Sequence, residues 1–420
     1  MLLEEPPEVP RAGWRKPETE QRLSDHISIG VLTRTYPPEL VDRVVAETGR
    51  TEARHRLLPA RVVVYYVMAM TLYAESSYEE VMRHLVEGLS WLTHWRKGWQ
   101  VPSKVAIYKS RIRLGVEPVR ELFETVARPL ADPGVEGSWY RDWRLMAIDG
   151  TCLEVADTEA NERAFGRAGT GRGRAAFPQL RMAGLAECGT HAIVAAALGP
   201  YARSEESLAE ELCSRLAPGM LCLADRGLFS YRLWQIAQGQ GAELLWRAVG
   251  NLRLEPEEVF QDGSWLTRIY HSSDRQRERP IFVRAVEYVL DDPGRPGAER
   301  YRLLTTILDP ERAPAHELAA LYAQRWEFEN VLDELKTHQR GPRVVLRSKQ
   351  PDGVYQEAYG YLLTHYAIRA LIHDAAVETG LDPDRLSFLR TLRVVRRSTA
   401  APDSSFSPSP PDAGAPARDR

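Results

Sequence analysis

Residues 321–339, LYAQRWEFENVLDELKTHQ, decide how the rest of the chain is read. At about 100° per residue, with Tyr322 at 0°, Arg325 falls near 300°, Glu329 near 340° and Lys336 near 320°. The four share one narrow arc. Phe328, Val331, Leu332 and Leu335 fall at roughly 180° to 280° on the same count, the adjoining face. This spacing predicts a long helix from about Pro314 to His338, with an apolar side for packing and a polar stripe along its border. A Glu flanked by Arg and Lys suits phosphate capture beside a metal ligand, since Arg grips phosphate bidentately and Lys acts as a point charge. The stripe can equally hold an i, i+4 ion pair between Arg325 and Glu329. Asp333, near 20° on the same count, is a rival carboxylate.

Upstream, the period shortens to two. Trp143 to Ile148, Gln179 to Glu187 and His191 to Leu198 read as strands, the last two joined through Cys188-Gly189-Thr190. A helix over Glu205 to Leu216 and a short buried strand, Met220 to Ala224, follow. Three consecutive strands, a helix and a short parallel strand give the order of an RNase H-like sheet. Asp149 directly follows the first strand and Asp225 ends the short one. With Glu329 they make three acids at strand ends and on a helix. Such oxygens hold hard cations such as Mg²⁺, and two ions roughly 3.5 to 4 Å apart can clamp the attacking and leaving oxygens of an in-line displacement. Several short strands between about Glu243 and Thr306 predict a mostly β insertion, and two or three helices fill Asp352 to about Arg397.

From about Arg22 to Leu130 the pattern is helical, with starts at Pro37-Pro38-Glu39, near Leu57 and at Ser77. Its later part, Trp95 to Arg113, sets basic residues among aromatics. Ser103 is placed to cap a helix presenting Lys104, Tyr108, Lys109, Arg111 and Arg113, either as a helix-turn-helix-like DNA contact or as a solvated basic face. Overall charge does not choose between them: 55 Lys and Arg stand against 58 Asp and Glu, a net charge of −3. The ends, 1–21 and 398–420, are rich in Pro and poor in apolar residues, which predicts disorder. No apolar run is long enough for a membrane helix and no secretory signal is visible, so a cytoplasmic location is expected. Cys152, Cys188, Cys213 and Cys222 lack metal-site spacing and read as free thiols.

Tyr322-x2-Arg325-x3-Glu329-x6-Lys336 resembles the signature helix of IS4-type DDE transposases. Asp149-Gly150-Thr151, Phe177 to Arg181, Ala224-Asp225-Arg226-Gly227, Val345 to Lys349 and Tyr366 to Ala370 resemble further blocks of that family, in order. The resemblance covers about residues 22–397. It implies an α/β fold with an RNase H-like catalytic core, a mixed sheet flanked by helices, over 136–340. The β insertion would lie at about 243–306, after a helical DNA-end-binding domain at 22–135 and before a helical region at 341–397. It implies a metal-binding triad of Asp149, Asp225 and Glu329, using Mg²⁺ or Mn²⁺ and two ions. Tyr322, Arg325 and Lys336 would contact phosphates at the element end. The partners would be double-stranded DNA at transposon ends and target DNA, with a homodimer in the complex and nucleoid association during the reaction. Cleavage at terminal inverted repeats would pass through a hairpin to strand transfer. Some relatives carry a Trp 21 residues before the signature Tyr that stacks a flipped base; Tyr301 stands there in this chain. Two other readings are a transposase-derived DNA-binding regulator and a metal-dependent nuclease without strand transfer.

Overall fold

The computed structural model describes residues 30–54, 56, 58–87, 101–170, 173–250, 252–290, 299–323, 331–332, 334–341 and 345–398. Helices α1 (Gly30–Thr35), α2 (Pro38–Glu47), α3 (Ala60–Leu72), α4 (Tyr78–Glu87), α5 (Lys104–Leu114) and α6 (Glu117–Val126) come first. The three predicted starts fall where Pro and Ser place them: Pro38 is the first residue of α2, and the Ser77 hydroxyl accepts from the Glu80 amide at 3.2 Å. In α3, a run of Val, Tyr and Met, every residue except Arg61 is buried, and Arg61 pairs with Asp42. So β-branched a helix owes its stability to packing rather than to propensity.

One sheet organises the remainder. Its strands are β1 (Trp139–Tyr140), β2 (Trp143–Glu154), β5 (Gln179–Glu187), β6 (Ile193–Pro200), β7 (Met220–Ala224), β8 (Glu243–Arg247), β9 (Glu258–Val259), β10 (Trp265–Ile269), β11 (Ile281–Leu290) and β12 (Glu299–Thr305). A small separate hairpin pairs β3 (Gly169–Thr170) with β4 (Gly173–Arg174). The order is β6-β5-β2-β7-β8-β12-β11-β10-β9, with β1 on β2. The first five strands are the RNase H-like core: an antiparallel meander β2-β5-β6, then β7 and β8 parallel to β2. The first strand of the expected insertion, β8, is thus the fifth core strand. Its free edge then accepts β12 antiparallel, Leu304 opposite Trp246, so the inserted strands extend the core sheet instead of forming a second one.

Alternate residues of each strand enter two cores. Leu145, Ala147, Leu221, Leu223 and Leu303 face one side; Met146, Ile148, Cys222, Ala224 and Leu304 face the other. On the second side lie α8 (Glu205–Cys213) and α9 (Tyr231–Gln238), which follow α7 (Glu159–Phe165) in the chain. The first side is covered by α10 (Ala315–Ala323) and by α11 (Pro351–Thr379), and α12 (Phe388–Ser398) packs on α11. The same apolar cluster continues from the sheet through α11 into α2 to α6, so the N-terminal helices share their core with the sheet. Gly360 permits the closest crossing: a Cβ there would lie 3.0 Å from the Val67 carbonyl oxygen. Beside it Thr71 and Thr364 hydroxyls meet at 2.9 Å.

The expected long helix from Pro314 to His338 begins at Ala315, but its last part is different. Glu334–Gln339 forms a wide π turn, in which the Arg340 amide donates to the Leu335 carbonyl at 3.3 Å. Five residues per hydrogen bond move Lys336 off the angle that an even 100° step assigns to it.

Candidate active site

Strand β2 does not stop at Ile148. It stays paired with β5 through Glu154, while its parallel pairing with β7 ends at Ile148 opposite Ala224. Asp149 and Asp225 therefore take the next position on neighbouring strands, where β7 leaves the sheet. By the alternation that sends Ile148 and Ala224 into one core, both aspartates project on the opposite side, the side of α10 and α11. Both are half-buried. The Gly150 amide donates to Asp149 Oδ1 at 2.7 Å, and Asp225 opens a tight turn, Arg226–Leu228. Gly150 points the other way, under the first residue of α8: a Cβ there would fall 2.1 Å from Glu205 Oε1.

Tyr322 joins the two aspartates, but not as a phosphate contact. It is 2% exposed, and its hydroxyl is shared between the Ala224 carbonyl at 3.3 Å and Asp225 Oδ1 at 3.5 Å. Its ring belongs to the apolar cluster under the helix, which corrects the expectation that it faces DNA. Arg325, Glu329 and Asp333 lie outside the described residues. Lys336 is half-buried in the π turn.

Arg247, which the sequence reading passed over, stands one strand further along. Ala224 pairs with Trp246, so Arg247 is level with Asp225 at the same edge. Its guanidinium lies 4.0 Å from the centroid of Tyr301, and Tyr288 stacks on that ring at 5.3 Å. Since β8 and β11 flank β12, the two partners cover opposite faces of Tyr301, which is 6% exposed. A flipped base cannot stack on Tyr301 without displacing one of them, so that expectation is corrected too. The pairing of a basic residue at the end of β8 with an aromatic in β12 was the available signal; only the strand order reveals it.

Of the residues expected on the outer face of α5, Lys104, Tyr108 and Lys109 are exposed, and Ser103 caps the helix through the Ala106 amide. Arg111 is not available for DNA. It is buried, donating to Gln356 Oε1 at 3.0 Å, Ser348 Oγ at 3.0 Å and the Gly353 carbonyl at 2.9 Å. Arg113 is half-buried against Glu52 and the Leu58 carbonyl.

A second charged cluster, also absent from the sequence reading, lies behind the signature helix. Glu334 is buried, and Arg369 donates to it from Nε at 2.9 Å and from Nη2. His365 Nε2 approaches Glu334 Oε2, the oxygen that accepts from Arg369 Nε, at 3.2 Å. Burial alone would raise the Glu334 carboxyl, but hydrogen bonds from His191 and His365 and the Arg369 charge outweigh it and hold the group well below the usual carboxylate range. His191 Nδ1 stands 2.5 Å from Arg369 Nη2 and 3.4 Å from Glu334 Oε1. His191 Nε2 faces Asp384 Oδ1 at 3.2 Å.

The acid pair where β2 and β7 part and the core strand order define an RNase H-like α/β protein. Comparison with known proteins then narrows the class. The chain matches the insertion element 4 transposase N-terminal family over residues 26–124 and the transposase DDE domain over residues 141–366. It is 31% identical over 366 residues to the transposase InsG for insertion sequence element IS4 of Escherichia coli (strain K12), covering 86% of this chain and 80% of that protein. It is 25% identical over 234 residues to the putative transposase InsZ of the same organism, covering 55% of this chain and 71% of that one. Among solved structures, a cryo-EM piggyBac transposase synaptic complex with hairpin DNA aligns with a TM-score of 0.48 at 12% identity, over 90% of this chain and 80% of that chain. The chain belongs to the IS4-type DDE transposases and is a DNA transposase of an insertion sequence. Its domain family carries nuclease or transferase chemistry supported by divalent metal ions.

The acid edge fits such an ion by chemistry, since two half-exposed carboxylates supply hard oxygen donors. Among the described residues no three His, Cys, Asp or Glu side chains complete a metal cluster, and Glu329 is not among those residues. Among the described residues no helix is long and apolar enough to cross a membrane.

Proposed function

We propose that this transposase cuts DNA at the terminal inverted repeats of its element and joins the freed ends to target DNA, with Asp149, Asp225 and Glu329 as the metal-holding triad. The observation that carries this is the adjacent placement of Asp149 and Asp225 where β2 and β7 part, with the Tyr322 hydroxyl seated on Asp225. Mg²⁺, or Mn²⁺ in its place, bound as two ions, would supply Lewis-acid stabilisation of the attacking and leaving oxygens. The protein's own part is to hold those carboxylates and orient the phosphate. Tyr322 sets the Asp225 carboxylate. Arg247, backed by Tyr301, and the signature residues Arg325 and Lys336 supply the positive charge that grips backbone phosphate. Lys104, Tyr108 and Lys109 contact the element end. The assembly on paired ends is a homodimer.

The test is a cleavage and joining assay with the repeats that flank the gene, target plasmid and Mg²⁺ or Mn²⁺. Cleaved ends and joined product are expected from the wild-type chain, and neither from Asp149→Ala, Asp225→Ala or Glu329→Ala. Hydrolysis without joined product would establish a nuclease instead. End binding without cleavage by the wild-type chain would establish a regulator.

A further inference from the structure

The inner side of α5 is fully engaged. Ile107 and Leu114 are buried in the shared core, Ser110 bonds the Ile107 carbonyl, and Arg111 is locked to the start of α11. The outer side is unusual for a soluble helix. Val105 is 59% exposed, Tyr108 48% and Ile112 55%, three of the most exposed large apolar side chains among the described residues. At about 100° per residue, with Lys104 at 0°, Tyr108 falls near 40°, Ile112 near 80°, Val105 near 100° and Lys109 near 140°. An apolar ridge therefore runs along the helix with an ammonium group on each flank. The helix sequence, KVAIYKSRIRL, contains no acid.

That pattern has a specific complement. The DNA major groove, about 12 Å wide, admits one α-helix, its floor carries thymine methyl groups and its walls carry phosphates. We infer that α5 is the sequence-reading helix of this transposase: Val105, Tyr108 and Ile112 contact base edges, thymine methyls above all, while Lys104 and Lys109 hold the phosphates on either wall. The inference rests on the proposed binding of the element ends and goes beyond it by separating the residues that choose a sequence from those that only add affinity. It also gives Arg111 its place: with Gln356, whose amide donates back to the Arg111 and Gly115 carbonyls at 2.7 and 2.6 Å, it fixes the angle at which α5 meets DNA relative to the catalytic sheet. A second copy of the chain is the other occupant an apolar ridge could take. Flanking lysines argue against it, because two such faces in contact would bring like charges together.

The experiment measures binding of the full chain to a duplex of the flanking terminal repeat and to a shuffled duplex of the same composition, over a range of salt. Val105→Ala and Ile112→Ala are each expected to cut the preference for the repeat about 5- to 100-fold while leaving shuffled-duplex binding unchanged. Lys104→Ala with Lys109→Ala is expected to weaken both duplexes alike and to lower the salt slope by about 2. Replacing single thymines of the repeat by deoxyuridine, which removes only the methyl group, is expected to reproduce the loss at two or three positions for the wild-type chain. If no deoxyuridine position matters and a folded Val105→Ala/Ile112→Ala variant keeps the wild-type preference, the inference is overturned while end binding stands. If that variant instead changes the mass of the free protein in light scattering, the ridge joins two copies and the inference is overturned. If the wild-type chain shows no preference for the repeat at all, end binding itself fails and takes the inference with it.

Discussion

Two sets of acids flank the signature helix, and their surroundings differ sharply. Glu334 is buried and meets Arg369, His191 and His365. Asp149 and Asp225 are half-exposed at the end of a parallel strand pair, held by a backbone amide and a tyrosine hydroxyl. A buried carboxylate paired with a buried guanidinium and hydrogen-bonded to imidazole side chains is a structural part, its charge already balanced inside the fold. A half-exposed carboxylate where two strands part still faces the outside of the protein. Exposure and saturation, more than residue type, separate the two sets.

The largest expected effect breaks the first set. Glu334→Ala leaves Arg369 buried without its counter-charge and should cost about 3 to 5 kcal/mol of stability, seen as a large fall in Tm. Glu334→Gln sharpens the point through pH. The folded carboxyl lies below the unfolded value of about 4.3, so the unfolded chain takes up the proton first. Its stabilisation is complete above that pH and is lost as pH falls toward the folded value. Tm measured from pH 6 to pH 3 should therefore drop less steeply for Glu334→Gln than for wild type; parallel curves would sink the assignment.

Asp225→Asn tests the opposite case. It should lower cleavage by more than about a hundredfold, the upper end of what losing a residue that only orients a metal ligand costs, while Tm moves little. A folded Asp225→Asn chain that still cuts at the wild-type rate would exclude this aspartate from the metal site. Next comes Gly150→Ala, whose methyl collides with Glu205 on the far side of the strand. Because Glu205 is half-exposed and flexible, the cost should be about 1 kcal/mol, the low end for overpacking. Glu205→Ala in the same chain should recover it, and failure to recover would place the strain elsewhere. Tyr322→Phe should be the smallest, about 0.5 kcal/mol, the low end for a lost hydrogen bond because both contacts are long, with a modest fall in cleavage because Asp225 loses a positioning contact.

What could be read from the chain follows the range of the physics involved. The alternation of β2, β5 and β7, the helix starts at Pro38 and after Ser103, and the end of β7 before Asp225 are local signals, legible in the chain. The continuation of β2 past Asp149 was not, because Gly150-Thr151 looks like a turn until β5 is seen to pair with it. The π turn escaped because counting at a fixed angle assumes the helix it tests. Arg111 was read as a DNA contact since its partners, Ser348, Gly353 and Gln356, are more than two hundred residues away; Gln356, for one, is separated by 245. Tyr301 differs: its partners are nearer in sequence, but Arg247 and Tyr288 arrive from strands on either side, which only the strand order reveals.

The crossing of α3 and α11 has a consequence for how the molecule is made. Thr71 and its acceptor Gly360 are 289 residues apart in the chain. At roughly 5 to 20 residues per second, α3 emerges from the ribosome on the order of 15 to 60 s before the helix that covers it. During that interval its Val, Tyr and Met side chains have no native partner on that side. A newly started chain thus presents a strongly apolar segment to the cell's chaperones, and a transcript cut short before α11 yields a product marked for aggregation or proteolysis.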